Sequence, residues 1–205
     1  MIPYSTRVRT AIFALLLSQL FHGCAGPSQP TRFYRLDAHL DRADAVSLKP
    51  RTGQQLIAIG PITLADYLDR PQIIERQSPH RLQLHEFDHW AGSLKENIVQ
   101  LLTDLVRRRL DDMQVVSYPW HGSLRPDYEV VMKITRFDRE GDRVWLQLSW
   151  SLIQAQERRL VEMQQLVLEE PITGTGIDAG VAASSRVIGQ LAQRIAAAIG
   201  EAKQP

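Results

Sequence analysis

The sequence predicts an α+β fold: a mixed, largely antiparallel β-sheet with two amphipathic helices packed on one face. Three observations carry that expectation. Apolar and polar residues alternate through much of the stretch from Arg32 to Phe87, and again from Gln114 to Leu168. Just after Ser93 the period lengthens to that of a helix, with Leu94, Ile98, Leu101, Leu102 and Leu105 on one stripe. The second alternating block ends the same way, in Val187, Ile188, Leu191, Ile195 and Ile199. Two blocks of strands, each closed by one helix, are most simply arranged as a sheet that both helices cover from one side.

The elements follow in order. Arg32 to Leu36 reads as a short strand, and Gln55 to Leu64 as a richer one, with Leu56, Ile57 and Ile59 ahead of Gly60-Pro61. Gln72 to Arg76 and Leu82 to Phe87 are two more. A helix then runs from Leu94 to Leu110, and Ser93 with Glu96 forms the S-x-x-E pattern of a capping box. Arg107, Arg108 and Arg109 close it. A basic cluster can serve nucleic acid or anionic lipid, but a solvated last turn complementing the helix dipole is the commoner explanation. Gln114 to Tyr118 is a short strand. Tyr128 to Phe137 and Arg143 to Gln154 are long ones joined through Gly141-Asp142, a hairpin signal. Val161 to Leu168 is the last strand, and Asp178 is the expected cap of the final helix. The breaks near residues 49–53 and 117–126 read as loops, being too short for domain boundaries.

The N-terminus carries a different signal. Arg7 and Arg9 precede an apolar run from Ala11 to Phe21, followed by Gly23 and Cys24, the only cysteine of 205 residues. Such a run fits a signal-peptide core and is shorter than the ~20 apolar residues that span a bilayer. A small residue followed by cysteine resembles the lipobox of bacterial lipoproteins, although Phe21 and His22 depart from the usual residues. The expected organisation is therefore a lipoprotein signal peptide over residues 1–23, a lipidated Cys24 with a linker to residue 30, and one domain over 31–205. Acyl chains hold a protein on a membrane at ~0.8 kcal/mol per buried methylene, and stably only when more than one is attached. Ala25 is not the aspartate of an inner-membrane retention signal, which points to the outer membrane, facing the periplasm.

Composition narrows the function. Without its first 23 residues the chain has 22 basic against 23 acidic residues, a net charge of −1. That balance argues against a nucleic-acid binder, which concentrates positive charge on one face. With its one cysteine spent on the anchor, the domain has no disulfide to rely on.

Two motifs suggest chemistry. His85-Glu86-Phe87-Asp88-His89 matches H-E-x-x-H, which binds zinc when both histidines lie on one helical turn. Here the stretch continues the Leu82/Leu84 alternation. In a strand, His85 and His89 stand about 13 Å apart at ~3.3 Å per residue. Lys95 also occupies the place of a third histidine. Gly174-Thr175-Gly176-Ile177-Asp178-Ala179 matches G-x-G-x-x-A, but no room remains after the following helix for the second strand of a dinucleotide fold. The two glycines are better explained as a turn between strand and helix. No catalytic residues, metal site or cofactor are assigned, and the domain is expected not to be an enzyme.

One segment is distinctive. Gly60 to Arg76 reads G-P-I-T-L-A-D-Y-L-D-R-P-Q-I-I-E-R. It resembles the signature of the PqiC/YmbA-like family, auxiliary lipoproteins of ABC-type intermembrane transport systems. Phe33-Tyr34-Arg35-Leu36, Trp90-Ala91 with Leu94, Phe137, the Gly141 turn and Trp150 agree in order, while Ala65 stands where the family often has proline. The resemblance implies a non-enzymatic outer-membrane lipoprotein working with an MCE-domain (PqiB-like) protein and its inner-membrane permease. It would dock or support the far end of a lipid bridge, with a homo-oligomeric ring as one form it could take. The alternative is a carrier that binds lipid or another small molecule itself, which calls for an apolar cavity of several hundred Å³ between sheet and helices. From residue types, Tyr67, Leu68, Asp69, Arg70, Pro71 and Gln72 are the candidate partner contact, combining an aromatic, a proline-stiffened turn and an arginine. Against it stands the reading in which Tyr67 and Leu68 fill the core and Asp69 pairs with Arg70 to fix the turn.

Overall fold

Strand β6 (Tyr128–Glu140) organises the sheet. Val130, Met132 and Ile134 alternate on its inner face and are fully buried. Its partner β7 (Arg143–Gln154) returns antiparallel along the whole length, from Glu140↔Arg143 to Tyr128↔Gln154. The hairpin turn is Gly141-Asp142, with positive φ (61°) at Gly141 alone, the pattern of a turn with glycine at its first central position. Val144, Leu146, Leu148, Trp150 and Leu152 are buried on the same inner face. β8 (Arg159–Pro171) then pairs antiparallel with β7 and, among the described residues, ends the sheet on that side. The computed structural model describes residues 29–37, 55–110 and 112–202. Cys24, the residues expected to form a signal peptide and the expected break at 49–53 lie outside them.

With β7 occupying one edge of β6, the other edge is shared by two strands in succession. β2 (Leu56–Leu64) runs parallel to β6 from Ile57↔Tyr128 to Leu64↔Ile134, with a bulge between Ile59 and Ile62. A short 3-10 turn (Asp66–Leu68) follows, and β3 (Gln72–Ser78) resumes on the same edge at Glu75↔Arg139 and Arg76↔Glu140. β3 continues into β4 (Arg81–Trp90) as an antiparallel hairpin, and β4 pairs parallel with β1 (Arg32–Tyr34). β5 (Gln114–Ser117) pairs parallel with β2. The sheet is thus mixed and eight-stranded, with its long ladders antiparallel, as expected.

Helix α1 (Leu94–Arg109) packs against β2 and β5, helix α2 (Gly176–Ala202) against β7 and β8, and the two helices against each other. The stripes read from the sequence are the buried ones: Leu94, Ile98, Leu101, Leu102 and Leu105 of α1, and Val187, Ile188, Leu191, Ile195 and Ile199 of α2.

Several details differ from expectation. Ser93 has the extended backbone of an N-cap but makes no side-chain capping bond. Instead the buried Asn97 amide organises the helix start: Nδ2 donates to Ser93 O (2.9 Å) and Ala91 O (3.2 Å), and Oδ1 accepts from Leu36 N (3.3 Å). Asp178 does not cap α2, which begins two residues earlier at Gly176; its carboxylate lies in the first turn, where the helix dipole still favours it. The last-turn arginines of α1 are engaged within the fold. Arg107 pairs with Asp104 at 2.7 Å and donates to Val115 O, while Arg109 donates to Leu105 O. β3, β4, β6 and β8 all run beyond the apolar alternation, because backbone pairing continues through polar residues that carry no periodic signal.

Candidate functional site

The turn between β2 and β3 follows from how those strands share β6. Ala65 N donates to Ile134 O at 2.9 Å, the last tie to the first half of β6. The chain must then lift off, pass the irregular register between Ile134 and Arg136, and re-pair at Arg139. Leu68 turns inward and is 1% exposed. Tyr67 is half-buried; its hydroxyl is 3.2 Å from Thr135 O and 3.5 Å from Asp138 Oδ2. Burial, reinforced by the nearby Asp138 charge, pushes the Tyr67 phenol above its usual value.

Asp138 anchors the turn from below. Its side chain is wholly buried and accepts from Arg76 Nη2 at 2.7 Å and from Arg136 Nε at 2.8 Å. Arg136 continues to Glu140 at 2.6 Å and stacks over the Trp145 ring at 5.2 Å. The bond to Asp138 raises the Arg76 pKa further above its usual value. Under the turn, the space bounded by Leu68, Ile73, Trp90, Phe137 and Val181 amounts to only ≈ 30 Å³.

The outward half is different in kind. Asp69, Arg70 and Pro71 are exposed, and Gln72 enters β3 half-buried. Among the described residues neither Asp69 nor Arg70 makes a side-chain hydrogen bond or ion pair. The segment is therefore divided by burial. Tyr67 and Leu68 serve the core, and Asp69-Arg70-Pro71 stand free on the surface, without the pairing of Asp69 to Arg70.

His85 and His89 both lie in strand β4, not on a helix. His85 Nε2 is 3.1 Å from Glu75 Oε2, and His89 Nε2 is 3.0 Å from Glu86 O, so the rings serve separate partners. Gly174 and Gly176 have φ of 105° and 79° and lead from β8 into α2, which is the turn role expected of them.

Two features escaped sequence reasoning. Asp88, inside the H-E-x-x-H match, is 5% exposed and takes Arg32 Nε at 2.8 Å and Tyr34 hydroxyl at 2.9 Å across the β1·β4 pair. Its only signal was that it falls in phase with the buried Trp90. The other is an open groove of ≈ 1020 Å³ between β1, α1 and α2, lined by Phe33, Arg35, Leu105, Arg109, Val181 and Arg186 among others. Its walls come from three distant segments, which no local pattern relates.

A model of the ABC-type transport auxiliary lipoprotein components matches residues 34–196, nearly the whole described fold. The chain belongs to that family. As an ABC-type transport auxiliary lipoprotein it shares its fold with proteins of known structure. One, an uncharacterized protein, is 17% identical with a TM-score of 0.68, covering 83% of this chain and 99% of that one. A Xanthomonas campestris protein is 21% identical with a TM-score of 0.61, covering 81% and 93%. No curated protein matches it in sequence. Among the described residues, no helix of this family member is long and apolar enough to cross a membrane.

Proposed function

We propose that this auxiliary lipoprotein is a non-enzymatic accessory of an MCE-type lipid-transport system, held on the periplasmic face of the outer membrane by acyl chains on Cys24. The family match over residues 34–196 carries the reading. The domain docks or supports the outer end of an MCE-protein bridge whose permease lies in the inner membrane, and works as an assembly of copies. The partner contact is the outward part of the β2–β3 turn, Asp69-Arg70-Pro71, stiffened from within by Tyr67, Leu68 and Asp138. A surface arginine beside a proline, with no partner of its own in the described fold, loses no internal bond when a partner's carboxylate or carbonyl takes it. Palmitate labelling with membrane fractionation tests the anchor. Wild-type protein takes label and sediments with outer membrane, and Cys24→Ser does neither; label retained in Cys24→Ser removes the reading.

The open groove favours a second reading, a carrier of lipid or another small molecule, since ≈ 1020 Å³ could hold a drug-sized ligand or part of a lipid. The cavity under the β2–β3 turn, between Trp90, Phe137 and Val181, is only ≈ 30 Å³ and too small for such cargo. Extraction of the purified protein decides: stoichiometric bound lipid supports the carrier, and lipid-free protein that still recovers its MCE partner supports the scaffold.

A further inference from the structure

Among the described residues β8 ends the sheet, yet its middle lacks the usual protection of an edge. Residues 163–168 read Met-Gln-Gln-Leu-Val-Leu, with no charge, proline or glycine. The ends are guarded. A bulge falls at Val161, between the Leu152↔Glu162 and Ile153↔Leu160 pairs. At the other end α2 covers the backbone: Gln190 Nε2 donates to Glu169 O at 3.1 Å and Arg186 Nη2 to Pro171 O at 2.8 Å.

The register shows what the unguarded part offers. The two-residue turn makes Glu140 and Arg143 the closing pair, so odd-numbered residues of β7 bond to β6 and even-numbered ones face β8. Their β8 partners, Gln164, Leu166 and Leu168, are likewise even-numbered. The odd-numbered residues Met163, Gln165 and Val167 therefore turn their N–H and C=O groups to the free edge, as the acceptor role of Glu169 O confirms. Their side chains are exposed, Met163 by 59% and Val167 by 61%, on the sheet face that carries no helix. About Gln165 this arrangement is symmetric. An antiparallel copy of the same strand sets Gln165 opposite itself and Met163 opposite Val167, twice.

We infer that β8 pairs with β8 of a second copy about a two-fold axis through Gln165, joining two sheets across Met163, Gln165 and Val167. The contact is isologous and closes on itself. Each copy supplies three residues whose free backbone groups match, apolar side chains meet apolar ones, and no like charges oppose between 163 and 167. A contact this small makes a weak dimer by area alone, so covalent trapping is the proper readout.

A hydrogen-bonded antiparallel pair has Cα atoms about 5.5 Å apart, within disulfide range. Full-length Gln165→Cys, extracted in mild detergent and oxidised, is expected to form a disulfide dimer at least tenfold above two controls. One is the parent chain, in which Cys24 alone sets the background; the other is Gln147→Cys, on the same outer face one strand inward. Met163→Cys alone stays monomeric, because each copy presents it to Val167, whereas Met163→Cys with Val167→Cys cross-links. Adding Val161→Lys leaves the trap intact, and Val167→Lys suppresses it. Cross-linking of Gln165→Cys no better than Gln147→Cys overturns the inference, as does a disulfide formed with a different protein, provided both variants melt like the parent.

Discussion

Arg76 Nη2 donates to Asp138 Oδ2 at 2.7 Å, joining β3 to β6 where the Asp138 side chain is wholly buried and the Arg76 side chain 16% exposed. The pair closes the crossing between the two strands that share one edge of β6. Because Asp138 also holds Arg136 and lies near the Tyr67 hydroxyl, it fixes the underside of the turn whose outer half is the proposed contact.

Removing one partner of a buried ion pair costs about 3–5 kcal/mol, because the remaining charge is left without compensation. Asp138→Ala leaves Arg76 without a carboxylate and Arg136 with Glu140 alone, so it is expected to lose about 3 kcal/mol in urea unfolding. Arg76→Ala, leaving Arg136 on Asp138, loses less. Equal stability of Asp138→Ala and wild type contradicts the structural role assigned here.

The two halves of the turn separate by substitution. Tyr67→Phe removes one partly buried hydrogen bond and is expected to cost about 1 kcal/mol. Arg70→Ala, on the surface and unpaired among described residues, is expected to change stability by less than about 0.5 kcal/mol. Thermal melts of the two variants check both, and a large loss at Arg70 returns that residue to the fold.

Gly60 sits at the β2 bulge with φ 111°, and a Cβ there would lie 2.7 Å from the Tyr118 Cβ. Alanine meets both an unfavourable backbone region and backbone-anchored atoms of a neighbouring segment. Gly60→Ala is expected to destabilise the domain by about 2 kcal/mol, measured by chemical denaturation. Gly122→Ala, whose Cβ would meet nothing within 4 Å, is the comparison.

Acid sensitivity follows from Asp88. Burial pushes its carboxyl pKa up, but the bonds from Arg32 and Tyr34 outweigh burial and hold it below its ordinary value. A carboxylate with a lowered folded pKa contributes stability that is complete above the unfolded value and fades as pH falls through the folded one. That contribution is expected intact at pH 6 and lost progressively below about pH 4. Asp88→Asn should flatten this part of the stability curve, followed by denaturation midpoints between pH 6 and pH 2.5. A parallel curve for the variant contradicts the assignment.

Period carried the parts of the fold that depend on one face being dry. Val144 to Leu152 alternate and the α2 stripe recurs at helical spacing because a single surface buries each, so both faces were legible, and for β7 the bounds as well. The sharing of one β6 edge by β2 and β3 was not, since parallel pairing between distant strands leaves no local mark. The Ser93 pattern is visible locally but forms no side-chain cap, whereas Asn97 ties the helix start to Ala91 and Leu36, a role no local pattern marks. Asp88 and Asp138 look like ordinary strand polars; only the long-range approach of Arg32 and Arg76 makes them internal. For the candidate site, residue type singled out the segment from Tyr67 to Gln72 but could not divide it, because inward and outward residues there follow the path of a turn rather than a period.

The most direct measurement is recovery of partners from detergent-solubilised native membranes by full-length protein, comparing wild type with Arg70→Ala at matched melting temperature. The account predicts an MCE-domain protein with the wild type and its loss with the variant. Wild type that brings down no MCE protein, or a variant that brings down as much, contradicts it.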